Sequence, residues 1–119
     1  MTSKSQNLKE MQEELHSYIN QFKTGYFSPL SQLARLTEET GELAREINHH
    51  YGEKQKKESE LPKSVAEEIG DVLIATIIMA NSLEIDLTQA FQDNMTKFNK
   101  RDKFRFERVD ERIKDEQIR

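Results

Sequence analysis

Apolar residues recur along this chain at three- and four-residue steps, the spacing of one face of an α-helix. Leu8, Met11, Leu15, Ile19 and Phe22 set a first helix over about Ser5 to Phe22, and Gly25 breaks it. Ser28-Pro29 is a helix start, with serine as cap and proline at the first helical position. The helix that follows should run to about Tyr51, with Leu33, Leu36, Leu43 and Ile47 on one stripe and Glu39, Glu42 and Glu46 on a second stripe beside it. Gly52 fits the C′ position of that helix. The charged stretch Glu53 to Leu61, closed by Pro62, is expected to be an exposed, mobile loop. Ser64-x-x-Glu67 has the form of a capping box ahead of a third helix that reaches about Leu83. From Val72 to Ala80 that helix is apolar almost all round. A helix without a polar face is buried on every side, and a domain of three or four helices cannot surround one of its own. A second subunit is therefore expected to cover part of it. Asp86 is placed to cap a fourth helix, about Leu87 to Asp102, with Ala90, Phe91, Met95 and Phe98 inward. The tail from Lys103 to Arg119 mixes charge with Phe104, Phe106, Val109 and Ile113, and suits an amphipathic extension or a partly disordered segment.

The pattern is all-α, with about four helices per chain, and composition agrees. In 119 residues, hydrophobic and charged residues each make up 34%, and there are only two Pro and four Gly, too few turn residues for a β-rich chain. The length suits one domain. A formal net charge of −4 excludes a general attraction to nucleic acid or to an anionic membrane. An anionic substrate would then need a local cation, either a bound metal or well-placed Lys and Arg. No Cys is present, which excludes a disulfide framework and a thiolate metal site. The N-terminal segment has no apolar h-region, and the Val72 to Ala80 stretch is too short to span a bilayer. A soluble, cytoplasmic helical protein is expected.

The candidate chemistry lies in two acidic clusters, Glu38-Glu39-x-x-Glu42 and Glu67-Glu68-x-x-Asp71. Within each, residues three apart share nearly one helix face, so Glu39 pairs with Glu42 and Glu68 with Asp71. Two facing helices would bring four carboxylates around one point. For most acids here a solvated surface is the better reading, and Glu10, Glu13, Glu14, Glu58, Glu60, Glu107 and Glu111 take it. Glu68 differs because it lies close to the Val65, Val72 and Met79 face, with Asp71 one step further round and apolar Ala75 and Ile78 on the next turns. Glu39 likewise neighbours Leu36 and Leu43. Two carboxylates about 6 Å apart repel by roughly 3 kcal/mol at an effective dielectric near 20. Four would lose several times that or take up protons, unless a dication neutralises them. Oxygen-only donors suit a hard cation, Mg²⁺ or Mn²⁺. Glu38 and Glu67 are rotated about 100° from their neighbours. Each could hold a second metal or position a water, or be no more than a solvated acid and, for Glu67, a capping partner.

Asn94, Lys97 and Arg101 form one stripe on the fourth helix and are candidates for phosphate oxygens, although cations near a helix C-terminus also serve its dipole. Lys54, Lys56 and Lys57 are read as solvated. His16, with Phe22 and Phe27, is a candidate contact for a planar base, against the plainer reading of a surface histidine. His49 and His50 end the second helix, where cations are favoured, and neither has metal-ligand spacing to the acids. The absence of Glu-x-x-His disfavours a ferritin-like di-iron bundle. There is no P-loop, no G-x-G-x-x-G and no Ser/His/Asp pattern.

With these residues in view the chain resembles the MazG-like nucleoside triphosphate pyrophosphohydrolases, all-α enzymes whose pattern is E-E-x-x-E, a variable spacer, then E-E-x-x-D. Here it reads Glu38-Glu39-Thr40-Gly41-Glu42 and Glu67-Glu68-Ile69-Gly70-Asp71, followed by an apolar helix and Asn94-x-x-Lys97-x-x-x-Arg101. The likeness covers about residues 8 to 102. It implies a catalytic domain over 1–102 with 103–119 as a tail, and a four-helix core completed by dimerisation, often paired again into a tetramer. It also implies the reaction: a nucleoside triphosphate and water give the monophosphate and diphosphate with Mg²⁺, in nucleotide-pool housekeeping. Glu39, Glu42, Glu68 and Asp71 would be metal ligands, Glu38 and Glu67 catalytic auxiliaries, and Asn94, Lys97 and Arg101 phosphate contacts. Neither a nucleic-acid polymer nor a membrane is an expected partner. Two other classes compete: a non-enzymatic helical adaptor or regulator with a metal-binding acidic surface, and a metal-dependent hydrolase of another phosphate ester.

Overall fold

The computed structural model describes residues 5–53 and 64–110. Among them the only regular elements are four α-helices: α1 (Leu8–Asn20), α2 (Pro29–Tyr51), α3 (Val65–Ser82) and α4 (Leu87–Arg101). None of them is long and apolar enough to cross a membrane. The expected loop, apart from Glu53, and the end of the tail at 111–119 lie outside the described residues.

Caps set the helix limits. α1 starts at Leu8, the first residue of its apolar stripe and three residues after the expected start near Ser5, because Asn7 closes a capping box: its side chain accepts the Glu10 N–H at 2.8 Å, and the Glu10 carboxylate accepts the Asn7 N–H at 3.0 Å. After α1 the chain turns through Gly25, whose φ of 63° is the left-handed region that glycine enters without steric cost. Ser28 caps α2 by accepting the Ser31 N–H at 3.2 Å, with Pro29 in the first turn, and Ser64 caps α3 by accepting the Glu67 N–H at 3.0 Å. Gly52 does not take the left-handed C′ conformation expected of it. Its φ of −101° is extended, and its smallness matters for another reason: an added Cβ would strike the Asn48 side chain and approach the Asn48 carbonyl oxygen to 2.6 Å.

The end of α3 is a Schellman motif without glycine. The Ile85 N–H donates to Ala80 O at 2.8 Å, the Glu84 N–H donates to Asn81 O at 3.1 Å, and Glu84 holds φ 57°. The motif also anchors α1. Gln12 Nε2 donates to Asn81 Oδ1 at 2.8 Å and to Ile85 O at 2.9 Å, while Asn81 Nδ2 donates back to Gln12 O at 2.9 Å.

The chain divides into two compact units, Met1–Asp86 and Leu87–Arg119. In the first, α3 packs mainly on α2 and also on α1. Its buried hydrophobic core is small and comes from α3 alone: Ala75, Ile77, Ile78 and Ala80. The residues that α2 buries are polar, Gln32 and Glu46, whereas Leu33 and Ile47 of its apolar stripe are 52% and 40% exposed. Ile69, Leu73 and Ile74 of α3 are exposed as well. The second unit is α4 with the turns that follow it. The inward stripe expected on α4 is not buried: Phe91, Met95 and Phe98 are exposed, because a unit built of one helix and short turns has no second face to cover them.

A left-handed residue with a Cβ is strained relative to glycine. Glu84→Gly should therefore raise the unfolding free energy by about 1 kcal/mol, read by urea denaturation, with the α-helical CD spectrum unchanged.

Candidate metal centre

The inward face of α2 and the first turns of α3 meet in a group of acids. One carboxylate oxygen from each of Glu39, Glu42 and Glu68 lies within 4.8 Å of the other two. Glu68 is fully buried, at 0% exposure, and is with Ile77 one of the two largest fully buried side chains of the described residues. Glu39 is nearly buried, and its Oε2 accepts no hydrogen bond from the described residues. Its Oε1 faces Arg35 Nε, one turn earlier on α2, at 3.9 Å. Burial pushes the Glu39 carboxyl above its ordinary range. The charges of Glu42, Asp71 and Glu68 push it further in the same direction, and Arg35 only partly opposes them. Asp71 is thus close enough to be felt by Glu39, although its oxygen is not among the three that converge.

These residues fit a hard divalent cation. The donors are all oxygen, they come from two helices held together by packing, and one oxygen of Glu39 is buried without a donor. Burying carboxylates without compensation is costly, and a dication removes both the desolvation and the mutual repulsion.

The acid stripe continues one turn along α2. Glu46 is buried, with His50 Nε2 at 3.5 Å from one carboxylate oxygen and His49 Nδ1 at 4.0 Å from the other. Both histidines therefore associate with a specific acid in addition to standing at the helix end.

Beside the acids is a cleft of about 700 Å³ whose lining includes Tyr18, Ile19, Arg35, Asp71, Ile74 and Ile78. Arg35 and Asp71 join it to the acidic group. Neither Tyr18 nor Arg35 was singled out by motif. For Arg35 a signal was present, since a cation four residues before Glu39 must share its helix face.

The remaining site candidates are not among the three converging acids. Glu38 and Glu67 are exposed. His16 Nδ1 is 2.8 Å from the Tyr26 hydroxyl, its Nε2 is 3.0 Å from Asn20 Nδ2, and its ring stacks on Tyr26. It borders a different cleft, lined also by Lys9, Gln12 and Asn81, which contains none of the clustered acids. Phe22 meets Tyr18 edge-on with ring centroids 5.5 Å apart, and Phe27 is exposed. In the second unit Asn94, Lys97 and Arg101 are exposed. Lys97 and Arg101 both lie over the Phe98 ring, and Arg101 makes two hydrogen bonds of 3.2 Å to Asp102. That pairing holds the Asp102 carboxyl below its usual range.

Residues 27–106, which contain both acidic motifs, match the family described as the MazG nucleotide pyrophosphohydrolase domain. The chain belongs to that family. It is accordingly a hydrolase acting on nucleotides. YpjD of Bacillus subtilis (strain 168) is 59% identical to it over 104 residues, which span 87% of this chain and 94% of YpjD. The crystal structure of YPJD from Bacillus subtilis superposes with a TM-score of 0.73 at 57% identity, covering 82% of this chain and 99% of that one. The Bacillus-conserved MazG protein, described as a nucleotide pyrophosphohydrolase, superposes with a TM-score of 0.72 at 55% identity, over 83% of this chain and 96% of its own. The all-α reading of this MazG-family chain is thus matched by solved structures. The matched region begins after α1, so the α1 wall of the cleft lies outside it.

The raised Glu39 pKa makes stability depend on pH. The folded state holds this proton more tightly than the unfolded one, so metal-free stability should fall as pH rises upward from the unfolded glutamate value of about 4.3. In EDTA, Glu39→Gln should remove that part of the slope and raise the neutral-pH melting temperature by a few degrees, read by calorimetry from pH 4.5 to 7.5.

Proposed function

We propose that this MazG-family chain is a divalent-metal-dependent nucleoside triphosphate pyrophosphohydrolase, releasing diphosphate and the nucleoside monophosphate. The observation that carries the reading is the convergence of Glu39, Glu42 and Glu68 oxygens from two packed helices, with Glu68 wholly buried. We assign Asp71 to the same cation, Mg²⁺ or alternatively Mn²⁺. The cation, when bound, supplies charge neutralisation on the phosphate oxygens and lowers the pKa of coordinated water.

The chain's own residues divide the remaining work. Helix-borne carboxylates fix the site without rearrangement during the reaction. Glu38 and Glu67, exposed beside the acidic group, orient the attacking water and accept its proton. A new P–O bond forms at the α-phosphorus, the bond to the bridging oxygen breaks, and diphosphate leaves with the electron pair. Lys97 and Arg101, with Asn94, serve phosphate oxygens, and their positive charge answers the acidic balance of the rest of the chain. We assign the catalytic domain to 1–102 and its working place to the cytoplasm.

Oligomerisation belongs to the same proposal. The leucine stripe of α2 and the exposed face of α3 are apolar surfaces of the kind that a partner subunit covers, and a homodimer or a dimer of dimers is the assembly that fits them. Sedimentation should then give two or four times the 14.0 kDa of one chain.

Diphosphate release from a panel of normal and modified nucleoside triphosphates, with Mg²⁺ and with EDTA, tests the reaction. Metal-dependent release with the monophosphate as co-product is expected. Turnover confined to p-nitrophenyl phosphates would instead identify a different phosphate ester as substrate. Glu42→Gln and Asp71→Asn should each lower kcat by about 10²-fold or more while the far-UV CD spectrum stays helical. Full activity in either variant would remove it from the ligand set.

A further inference from the structure

The cleft beside the acids has a composition unlike that of the metal centre. One wall is α1, with Tyr18 and Ile19; another is α3, with Ile74 and Ile78. Its polar lining is Arg35 and Asp71, whose charges reach Glu39, together with Glu14, Ser17 and Gln21. A volume of about 700 Å³, apolar walls and a few convergent polar groups are the usual attributes of a small-molecule site. Tyr18 is half exposed, so its ring face is available to an incoming group, and Phe22 braces it edge-on. Arg35 is 52% exposed, and its Nε–Oε1 separation from Glu39 of 3.9 Å is longer than a hydrogen bond.

We propose that this cleft takes the nucleoside of the substrate and that Arg35 is a further phosphate-holding residue, exchanging Glu39 for a phosphate oxygen when a cation occupies the acids. The inference rests on the pyrophosphohydrolase reading above and adds to it a place for the base and a cation that the acidic motifs do not supply. A phosphate chain laid over Glu39, Glu42 and Glu68 would run past Arg35 directly into the cleft, because Arg35 borders both. In the metal-free protein Arg35 offsets part of the repulsion on Glu39. Once a dication does so, the planar fork is free to grip a phosphate, a task for which arginine geometry is well matched. Tyr18 offers a stacking face that tolerates any base, and the aliphatic side chains opposite it exclude water.

Two consequences separate this role from a merely structural one. Arg35 competes with the cation for Glu39, so Arg35→Ala should bind Mg²⁺ alone at least as tightly as the parent protein, read by titration calorimetry. The same variant should bind a nucleoside α,β-imido triphosphate, in Mg²⁺, about tenfold or more weakly, since a charge-assisted contact is lost. Arg35→Lys, which keeps the charge without the fork, should recover part of that loss. Tyr18→Ala should weaken the nucleotide analogue about tenfold yet leave inorganic tripolyphosphate unchanged, because only the nucleoside reaches the ring. Both side chains are about half exposed, and a retained helical CD spectrum certifies each variant. Parallel loss of Mg²⁺ and analogue binding in Arg35→Ala would overturn the proposal, as would analogue binding unchanged in both Arg35→Ala and Tyr18→Ala. If the parent protein itself binds neither the analogue nor tripolyphosphate and releases no diphosphate, the pyrophosphohydrolase reading fails, and this inference with it. Tight analogue binding by parent and variants alike defeats the inference alone.

Discussion

The packing of α2 on α3 sets the terms for everything else in this chain. In an ordinary amphipathic helix the apolar stripe faces the core and the charged stripe faces water. α2 departs from that pattern within its own chain. Gln32 and Glu46 are its buried residues, Glu39 and Glu42 are partly buried alongside Leu36 and Leu43, and Leu33 and Ile47 are exposed. Among the described residues the fully buried hydrophobic side chains of the first unit are therefore four from α3, Ala75, Ile77, Ile78 and Ala80. A helix that turns its acids inward loses the burial of part of its apolar stripe and takes on the repulsion of its carboxylates. Both losses are large against the marginal stability of a domain of this size. The arrangement makes physical sense if the acids are neutralised by a cation and the leucines are covered by another subunit. The metal centre and the proposed assembly are two consequences of one helix orientation.

Glu39 shows the tension most directly. Desolvation and three neighbouring acids oppose its ionisation, and one arginine at 3.9 Å relieves it only in part. A structural protein would gain from replacing it. A site that must hold a dication needs it charged and preorganised, because ligands that moved into place during binding would surrender ordering free energy at that moment. The cost is carried by the anchoring of the helices around it: the Ser64 cap at the start of α3, and the reciprocal Gln12–Asn81 amide pair that ties α1 to its end.

Helix limits were legible from the sequence wherever a local cap defined them. Ser28-Pro29 and Ser64 mark the starts of α2 and α3 as observed. α1 begins at Leu8, where its apolar period starts and three residues after the expected boundary near Ser5, because Asn7 claims the end through side-chain hydrogen bonds that periodicity does not register. The Schellman turn at Glu84 was invisible for a related reason: the usual signal is glycine, and here a glutamate accepts the left-handed conformation. The acidic motif identified which residues to watch, and spacing alone put Glu39 with Glu42. Which stripe of α2 would face α3 was not readable, since an apolar stripe and an acidic stripe ran side by side and the usual rule favours the apolar one. Tyr18 and Arg35 were missed because a cleft belongs to no single helix. It exists only once α1, α2 and α3 are placed together.

That last point bears on where specificity resides. The region matched to the family runs over 27–106 and holds the acidic motifs, whereas the α1 wall of the cleft precedes it. Carboxylates around a cation recognise phosphate, which every nucleotide shares, so they cannot distinguish one base from another. Discrimination requires contacts to the part that differs, and a pocket with one adaptable wall is the economical way to provide them. In this chain that wall is short, carries one half-exposed aromatic ring, and is tied to α3 by side-chain amides beside its partly buried stripe of Leu8, Met11, Leu15 and Ile19. Changes in α1 can therefore alter what the cleft accepts without disturbing the α2–α3 packing that holds the acids. The acidic group and the cleft are separable in the fold, and Arg35, bordering both, is the residue through which a bound cation and the proposed base pocket would communicate.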